Sequence, residues 1–240
     1  MDPAAGGMNT LIGTWGWLTT AEHYRGTAGV PHRLLEHLAI SAVSVLLAAL
    51  IALPVGLWLG HVGRGGGLAI NISNAGRAIP TFAILVLLAT VPSLFGNAGT
   101  VLALVVFAIP PILTNAYVGI REVDRDVKEA ARGMGMEGAA LLRRVELPLA
   151  LPLVTAGLRT AAVQVVATAT LAAYIGAGGL GRFIADGFGL QDRPMILAGA
   201  ILVALLALVT EIGLGRLEAR LTPGQRRGPV PGPAPAQIRG

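Results

Sequence analysis

Charge along this chain is confined to short breaks between long apolar runs. Between Leu38 and Gly60 there is no Asp, Glu, Lys or Arg, and His37 and His61 flank the run. Ala78 to Ile120 is uncharged for 43 residues, whereas about 20 apolar residues carry a helix across a bilayer. The turn-forming stretch VPSLFGNAG at 91–99 divides this run into two spans. Leu149 to Ile175 holds a single charge, Arg159, and Pro194 to Thr210 holds none. The pattern predicts an all-α polytopic membrane protein with five spans, at about 38–60, 66–91, 98–120, 149–175 and 194–215. A separate short helix within GGGLAINISNAG at 65–76 would raise the count to six. Prolines at 54, 80, 110, 111 and 152 interrupt the spans. In a bundle, neighbouring helices and water re-satisfy the carbonyls they free, so they serve either as packing kinks or as bends that shape a pathway.

One polar segment is long enough to be a unit of its own, residues 121–148, REVDRDVKEAARGMGMEGAALLRRVELP. Val123, Val127, Ala130, Ala131 and Met134 recur at helical spacing and predict one apolar face. Glycines at 133, 135 and 138 break that helix. A second short helix, Ala139 to Val145, is expected to end at Leu147-Pro148, where the fourth span begins. An isolated helix this short is marginal in water, so it should dock against something. Lipid is one candidate, but the face is narrow and Ala-rich, with no Trp, Phe or Leu before the glycines. That suits a protein groove better than a bilayer surface.

Composition agrees with a membrane protein: 54% of residues are hydrophobic, only 13% are charged, and the mean hydropathy is +0.69. A soluble domain carries about 25% charged residues. With no Cys, disulfides, thiolate zinc sites and cysteine nucleophiles are excluded. The net charge of +5 is a matter of placement. Of the 18 Lys and Arg, 13 fall on the side of the 121–148 loop and the C-terminus, and four (Arg25, Arg33, Arg182, Arg193) fall on the other. By the positive-inside bias this puts the N-terminus outside and the C-terminus in the cytoplasm, and it requires no nucleic acid. Residues 1–34 then form an extracytoplasmic segment without a signal-peptide pattern, residues 35–220 the membrane domain, and the Pro- and Gly-rich 221–240 a disordered cytoplasmic tail.

Residues 176–181 read GAGGLG and fit the dinucleotide fingerprint G-x-G-x-x-G. That fingerprint needs a βαβ unit and an acidic residue about 20 positions on. Here an apolar span precedes the run and position 196 is Ile, so the glycines are read instead as a close-packing exit from the fourth span at the outer face. Arg159, deep in that span, is either a structural arginine satisfied by carbonyls or by snorkelling, or a pathway contact. The histidines at 23, 32, 37 and 61 form no H-E-x-x-H motif. Glu211 stands nearly alone as an acid within a span, which argues against an ion-driven carrier. The aromatic residues are scattered and form no evident cage for a cation.

The spacing of Glu129-Ala130-Ala131, Gly135, Val145, Leu147 and Pro148 resembles the E-A-A-x3-G-x9-I-x-L-P loop of ABC importer permeases, with Val145 where isoleucine is usual. With Arg77-x-Ile79-Pro80 and GAGGLG, the resemblance covers roughly residues 35–220 and implies a type I ABC importer transmembrane domain. AIPPILTNAYVGI and LPLALPLVTAGLRTA are most similar to osmoprotectant permeases (glycine betaine, choline, carnitine or proline betaine), with the methionine importer permease a close second. The resemblance implies that 121–148 is a coupling loop seated in an ATPase groove through Glu129, Ala130, Ala131, Gly135, Val145, Leu147 and Pro148. It also implies that Arg77, Pro80, Arg159, Gly176, Gly178, Gly179 and Gly181 border the pathway or its gate. The partners it implies are two cytoplasmic ATPase subunits, a second permease copy or paralogue, and an external solute-binding protein. The chain has no G-x-x-x-x-G-K-[ST] run, and Lys128 is its one lysine. ATP and Mg are therefore expected on the ATPase partner, no cofactor on this chain, and the protein is expected to be a multi-pass inner-membrane transport subunit rather than an enzyme.

Overall fold

The computed structural model describes residues 3–67, 70–71 and 79–221, and no strand occurs among them. The elements are α1 (Pro3–Thr19), α2 (Val30–Val62), α3 (Thr81–Ala89), α4 (Asn97–Arg121), α5 (Arg125–Gly133), α6 (Gly138–Leu141), α7 (Leu147–Thr168), α8 (Gly181–Leu190) and α9 (Arg193–Leu221). A π-helical turn at Leu142–Glu146 joins α6 to α7, and a 3-10 stretch, Ala169–Ile175, extends α7. Among the described residues, four helical stretches are long and apolar enough to cross a membrane: Val30–Val62, Asn97–Arg121, Gly138–Ile175 and Arg193–Leu221. They contain the first, third, fourth and fifth spans expected from the sequence, and the first and fourth begin earlier than expected, at Val30 and Gly138. Of the second, 66–91, the longest described helix is α3, nine residues that begin directly after Pro80. Arg77 and most of the 65–76 segment lie outside the described residues, as does the tail beyond Leu221.

The core depends on α2. Its positions 40, 44, 48, 52, 56 and 60 are all buried, and they read Ile, Ser, Ala, Ala, Gly, Gly. Four-residue spacing keeps them in one slightly drifting stripe, and the shrinking side chains bring the backbones of α2 and α4 together. A Cβ on Gly56 would stand 2.8 Å from the Leu113 carbonyl oxygen, and one on Gly60 2.7 Å from the Cβ of Ile120. Leu104, Ala108 and Ile112 of α4 and Ala161 and Val165 of α7 complete this cluster. Close contact between small residues is how helices associate where lipid removes the hydrophobic drive. A second cluster, with Trp17, Val30, Leu180, Phe183 and Ala198, ties α1, α2, α8 and α9 together.

Two features differ from the sequence reading. The segment 1–34, for which no element was predicted, contains α1, which packs against α9 with Gly13 facing Pro194. Its glycines weaken the helical signal, and its 17 residues fall just short of a span. The second difference corrects the loop: the short helix expected to stop at Leu147-Pro148 does not end there. It runs on as one continuous helical stretch, Gly138–Ile175. Pro148 has no N–H, and its ring would crowd the carbonyl four residues back. The wide turn just before it, closed by the Leu147 N–H on the Leu142 carbonyl, absorbs that conflict without breaking the helix.

The stripe on α2 predicts a packing-specific defect. Gly56→Val should destabilise the purified protein by about 1–3 kcal/mol, the usual cost of overpacking. Gly213→Ala, where a Cβ meets open space, should leave the thermal midpoint in detergent nearly unchanged.

Candidate functional site

Functional side chains gather at the two ends of the bundle. At one end, the loop between α4 and α7 carries α5. Asp124 caps it by accepting from the Asp126 N–H at 2.9 Å. Gly135, at φ 82°, closes it: its N–H reaches the Arg132 carbonyl, and that of Met136 reaches Ala131. This paired bonding around a left-handed residue is the Schellman termination, and it favours glycine there. The apolar face expected to dock as one unit divides. Val123 and Ala131 are buried in the body of the protein, whereas Val127, Ala130 and Met134 are exposed. The reason is angular. At about 100° per residue, Val127, Ala130 and Met134 share one side, Ala131 sits at its margin, and Val123 precedes the helix altogether. Glu129 is exposed and pairs with Arg125, at 3.4 Å, a contact of little energetic weight. Val145 and Leu147 are partly buried and Pro148 is exposed, all on the return leg to α7.

Behind α5 lies a cavity of about 390 Å³ bordered by His61, Arg121, Lys128, Arg132, Glu129 and Glu146. Glu146 is 1% exposed, and its carboxylate accepts a hydrogen bond from His61 Nδ1 at 2.5 Å. Lys128 donates to the Ile120 carbonyl at 3.1 Å. Burial pushes its ammonium below the usual lysine range; the Glu146 carboxylate opposes that shift, and Arg121 and Arg132 add to it.

At the other end the four GAGGLG glycines form a tight turn. Gly176 and Gly179 have φ of 80° and 98°, and a Cβ at Gly178 or Gly181 would collide with the Glu36 carboxylate or the Thr170 backbone. Three successive N–H groups of this turn are held by side chains from other elements. Gly178 donates to Asn97 Oδ1 at 3.3 Å, Gly179 to Glu36 Oε2 at 3.0 Å, and Leu180 to His37 Nδ1 at 3.3 Å. Because His37 Nδ1 accepts, its Nε2 carries the proton and donates to the Val166 carbonyl at 2.8 Å. Arg33 in turn holds Glu36 at 2.8 Å.

The remaining pathway candidates lie apart from these groups. Pro80 caps α3. Arg159 is paired across to α9, with Glu218 at 2.9 Å and Glu211 at 3.4 Å. The aromatic residues are less scattered than they look in sequence. Phe82 and Tyr174 meet edge to face at 6.1 Å, both substantially exposed, and Trp17 packs on His23 and Phe183. Sequence reasoning missed Glu36, His37, Asn97, His61, Glu146 and Glu218 as partners. The available signal was a polar residue at each boundary of an apolar run, and His37 and His61 served only as span limits.

Comparison with known proteins points one way. The family described as binding-protein-dependent transport system inner membrane component matches residues 52–223. The carnitine transport permease protein OpuCB of Listeria monocytogenes is 43% identical over 197 residues, covering 80% of this chain and 89% of its own. The choline transport system permease protein OpuBB of Bacillus subtilis is 39% identical, covering 80% and 88%. The osmoprotectant import permease protein OsmW of Salmonella typhimurium is 36% identical, covering 78% and 89%. Among solved structures, a chain of the MetNI methionine ABC transporter in an inward-facing conformation superposes with a TM-score of 0.70. It is 25% identical and covers 80% of this chain and 96% of that one.

The glycine turn yields a test at the level of single hydrogen bonds. His37→Leu strands the buried Leu180 N–H, at a cost of about 1–3 kcal/mol. It should lower the thermal midpoint and expose the 176–181 turn to limited proteolysis. His32→Leu, which removes only an outlying contact to Glu36, should do neither.

Proposed function

The chain belongs to the family of binding-protein-dependent transport system inner membrane components, and we propose that it is the permease subunit of an ATP-driven importer of osmoprotectants of the glycine betaine, choline and carnitine type. The observation that carries the reading is the breadth of its similarity to permeases of carnitine, choline and osmoprotectants. These reach 43% identity over four-fifths of the chain, against 25% for the methionine transporter. The structural likeness to that transporter makes an amino-acid importer the second reading.

In this reading the chain binds no nucleotide and no cofactor; ATP and Mg act on two cytoplasmic ATPase subunits. A second permease copy or paralogue completes the membrane pathway, and an external binding protein delivers the solute. The N-terminus is outside, the C-terminus is cytoplasmic, and the α5 loop faces the ATPase. The exposed ridge of Val127, Ala130 and Met134 supports that placement, because an apolar edge on an otherwise charged helix calls for a protein groove. Glu129 and Ala130 lie on the exposed part of the docking helix, Ala131 packs that helix against the protein's own body, Gly135 fixes its end, and Val145, Leu147 and Pro148 carry its movement into α7. Arg77, Pro80, Arg159 and the glycines at 176, 178, 179 and 181 border the pathway and its outer gate. Alternating access follows when the ATPase pair closes on ATP and draws the loop with it.

The substrate class is tested by uptake into liposomes holding the complete complex with its binding protein. Labelled glycine betaine should accumulate in an ATP-dependent way and labelled methionine should not; the reverse result would select the amino-acid reading. In the same assay Gly135→Pro and Glu129→Ala should lower uptake and substrate-stimulated ATP hydrolysis while membrane insertion stays normal. Unchanged uptake in both variants would remove the coupling role of the loop.

A further inference from the structure

We propose that His61 and Glu146 are positioning residues that form the joint through which the loop between α4 and α7 moves α2. The inference rests on the coupling role given to that loop above. A push on α5 reaches α4 and α7 directly, because the chain runs from α4 into the loop and out of it into α7. It has no covalent route to α2, which reaches the loop only in space. Yet α2 bears the small-residue stripe on which α4 packs, and a pathway that opens and closes requires all three helices to move in register.

The contact at the end of α2 has the chemistry of a joint. Glu146 ends the π-helical turn on the return leg, and its carboxylate is wholly buried. A buried carboxylate is costly unless it is paired, and the hydrogen bond at 2.5 Å from His61, the last residue but one of α2, provides the pairing. Lys128, on α5 itself, is the next charge: it borders the same cavity and feels the Glu146 carboxylate electrostatically. Three elements that carry the loop, its return leg and α2 thus converge on one buried acid. The π turn adds a second reason. Wide turns of this kind are local departures from the α-helical bond pattern that recur at functional positions, and this one has Glu146 as its last residue. Gly60, one residue before His61, lets α2 touch Ile120 at the end of α4, so the joint sits where all three helices are closest to the loop.

The experiment reads movement directly. The chain contains no Cys, so Val62→Cys on α2 and Asp126→Cys on α5, both at exposed positions outside the docking ridge, place two spin labels on one permease copy of the assembled complex. With the joint intact, the distance between the labels should stay constant when ATP closes the ATPase pair, because the end of α2 follows α5. In His61→Ala and in Glu146→Gln the distance should change with ATP. Uptake per ATP hydrolysed should fall by at least about fivefold, the lower range of a coupling free energy between sites. His61→Lys, which keeps a hydrogen-bond donor opposite Glu146, should restore both readings toward the wild type. A distance that behaves alike in wild type and His61→Ala would overturn the proposal. So would a loss of coupling that His61→Lys does not rescue, because that is the outcome of a purely structural role. Gly135→Pro is the control for the underlying reading: normal transport in that variant removes the coupling loop itself, whatever His61 does.

Discussion

In hydrocarbon, burying a leucine gains nothing over leaving it against lipid tails, so close contact between helix backbones must supply what the hydrophobic effect supplies in water. The stripe from Ile40 to Gly60 on α2 meets this constraint, and most of the molecule follows from it. Large residues at the same spacing would hold α2 away from α4 and leave the backbone of Leu113 and the side chain of Ile120 without their close neighbours. The taper from Ile and Ser to Gly also sets a direction. α2 and α4 touch most intimately at the loop end, where any movement of the loop must be felt. The large apolar residues of α2 are turned outward instead: Leu46, Leu50, Ile51 and Trp58 are exposed, as a helix facing lipid or another membrane subunit requires.

Polar groups in such a bundle must be satisfied from within. Glu36, His37 and Asn97 take the amides of one turn, His61 takes Glu146, and Arg159 takes two glutamates of α9. Each set joins elements distant in sequence, so it contributes less through its own energy than by fixing which helices sit side by side. A lone buried charge would be strongly unfavourable. A matched one is nearly neutral and selects a single arrangement, which a bundle of similar apolar helices otherwise lacks.

How much of this is readable in the sequence follows from the range of each interaction. Hydropathy acts over a whole helix, so four of the expected spans lie inside the helical stretches built on α2, α4, α7 and α9, though α2 starts eight residues earlier and α9 ends six residues later than those spans. The end of α5 at Gly135 was readable because helix termination is local. Pairings across the bundle were not. Glu146 sits in a run of mixed charge, RRVELP, and nothing in that string distinguishes a fully buried acid from a solvated one. Arg159 was recognised as deep, but its partners Glu211 and Glu218 lie more than fifty residues on and become neighbours only when α9 folds back. The helical face of α5 misled for a related reason. A periodic pattern reports that residues share a side, but not whether that side meets the protein's own body or an outside surface.

The GAGGLG turn makes the same point from the opposite direction. Its letters match a nucleotide fingerprint, and the physical basis of the match is sound: glycines let a backbone bend sharply and offer consecutive N–H groups at close range. A nucleotide fold leaves those N–H groups free for a pyrophosphate. Here they are already taken by Asn97, Glu36 and His37. The turn keeps the chemistry of an anion cradle but spends it internally, on a carboxylate and two other acceptors carried by α2 and α4. What separates a cofactor site from a structural clasp is therefore not the glycine spacing but what stands opposite it. In this chain that is the end of α2, whose far end reaches the loop and whose near end holds the turn. One helix thus contacts both candidate sites, and a displacement of α2 at the loop end has a continuous, close-packed route to the glycine turn.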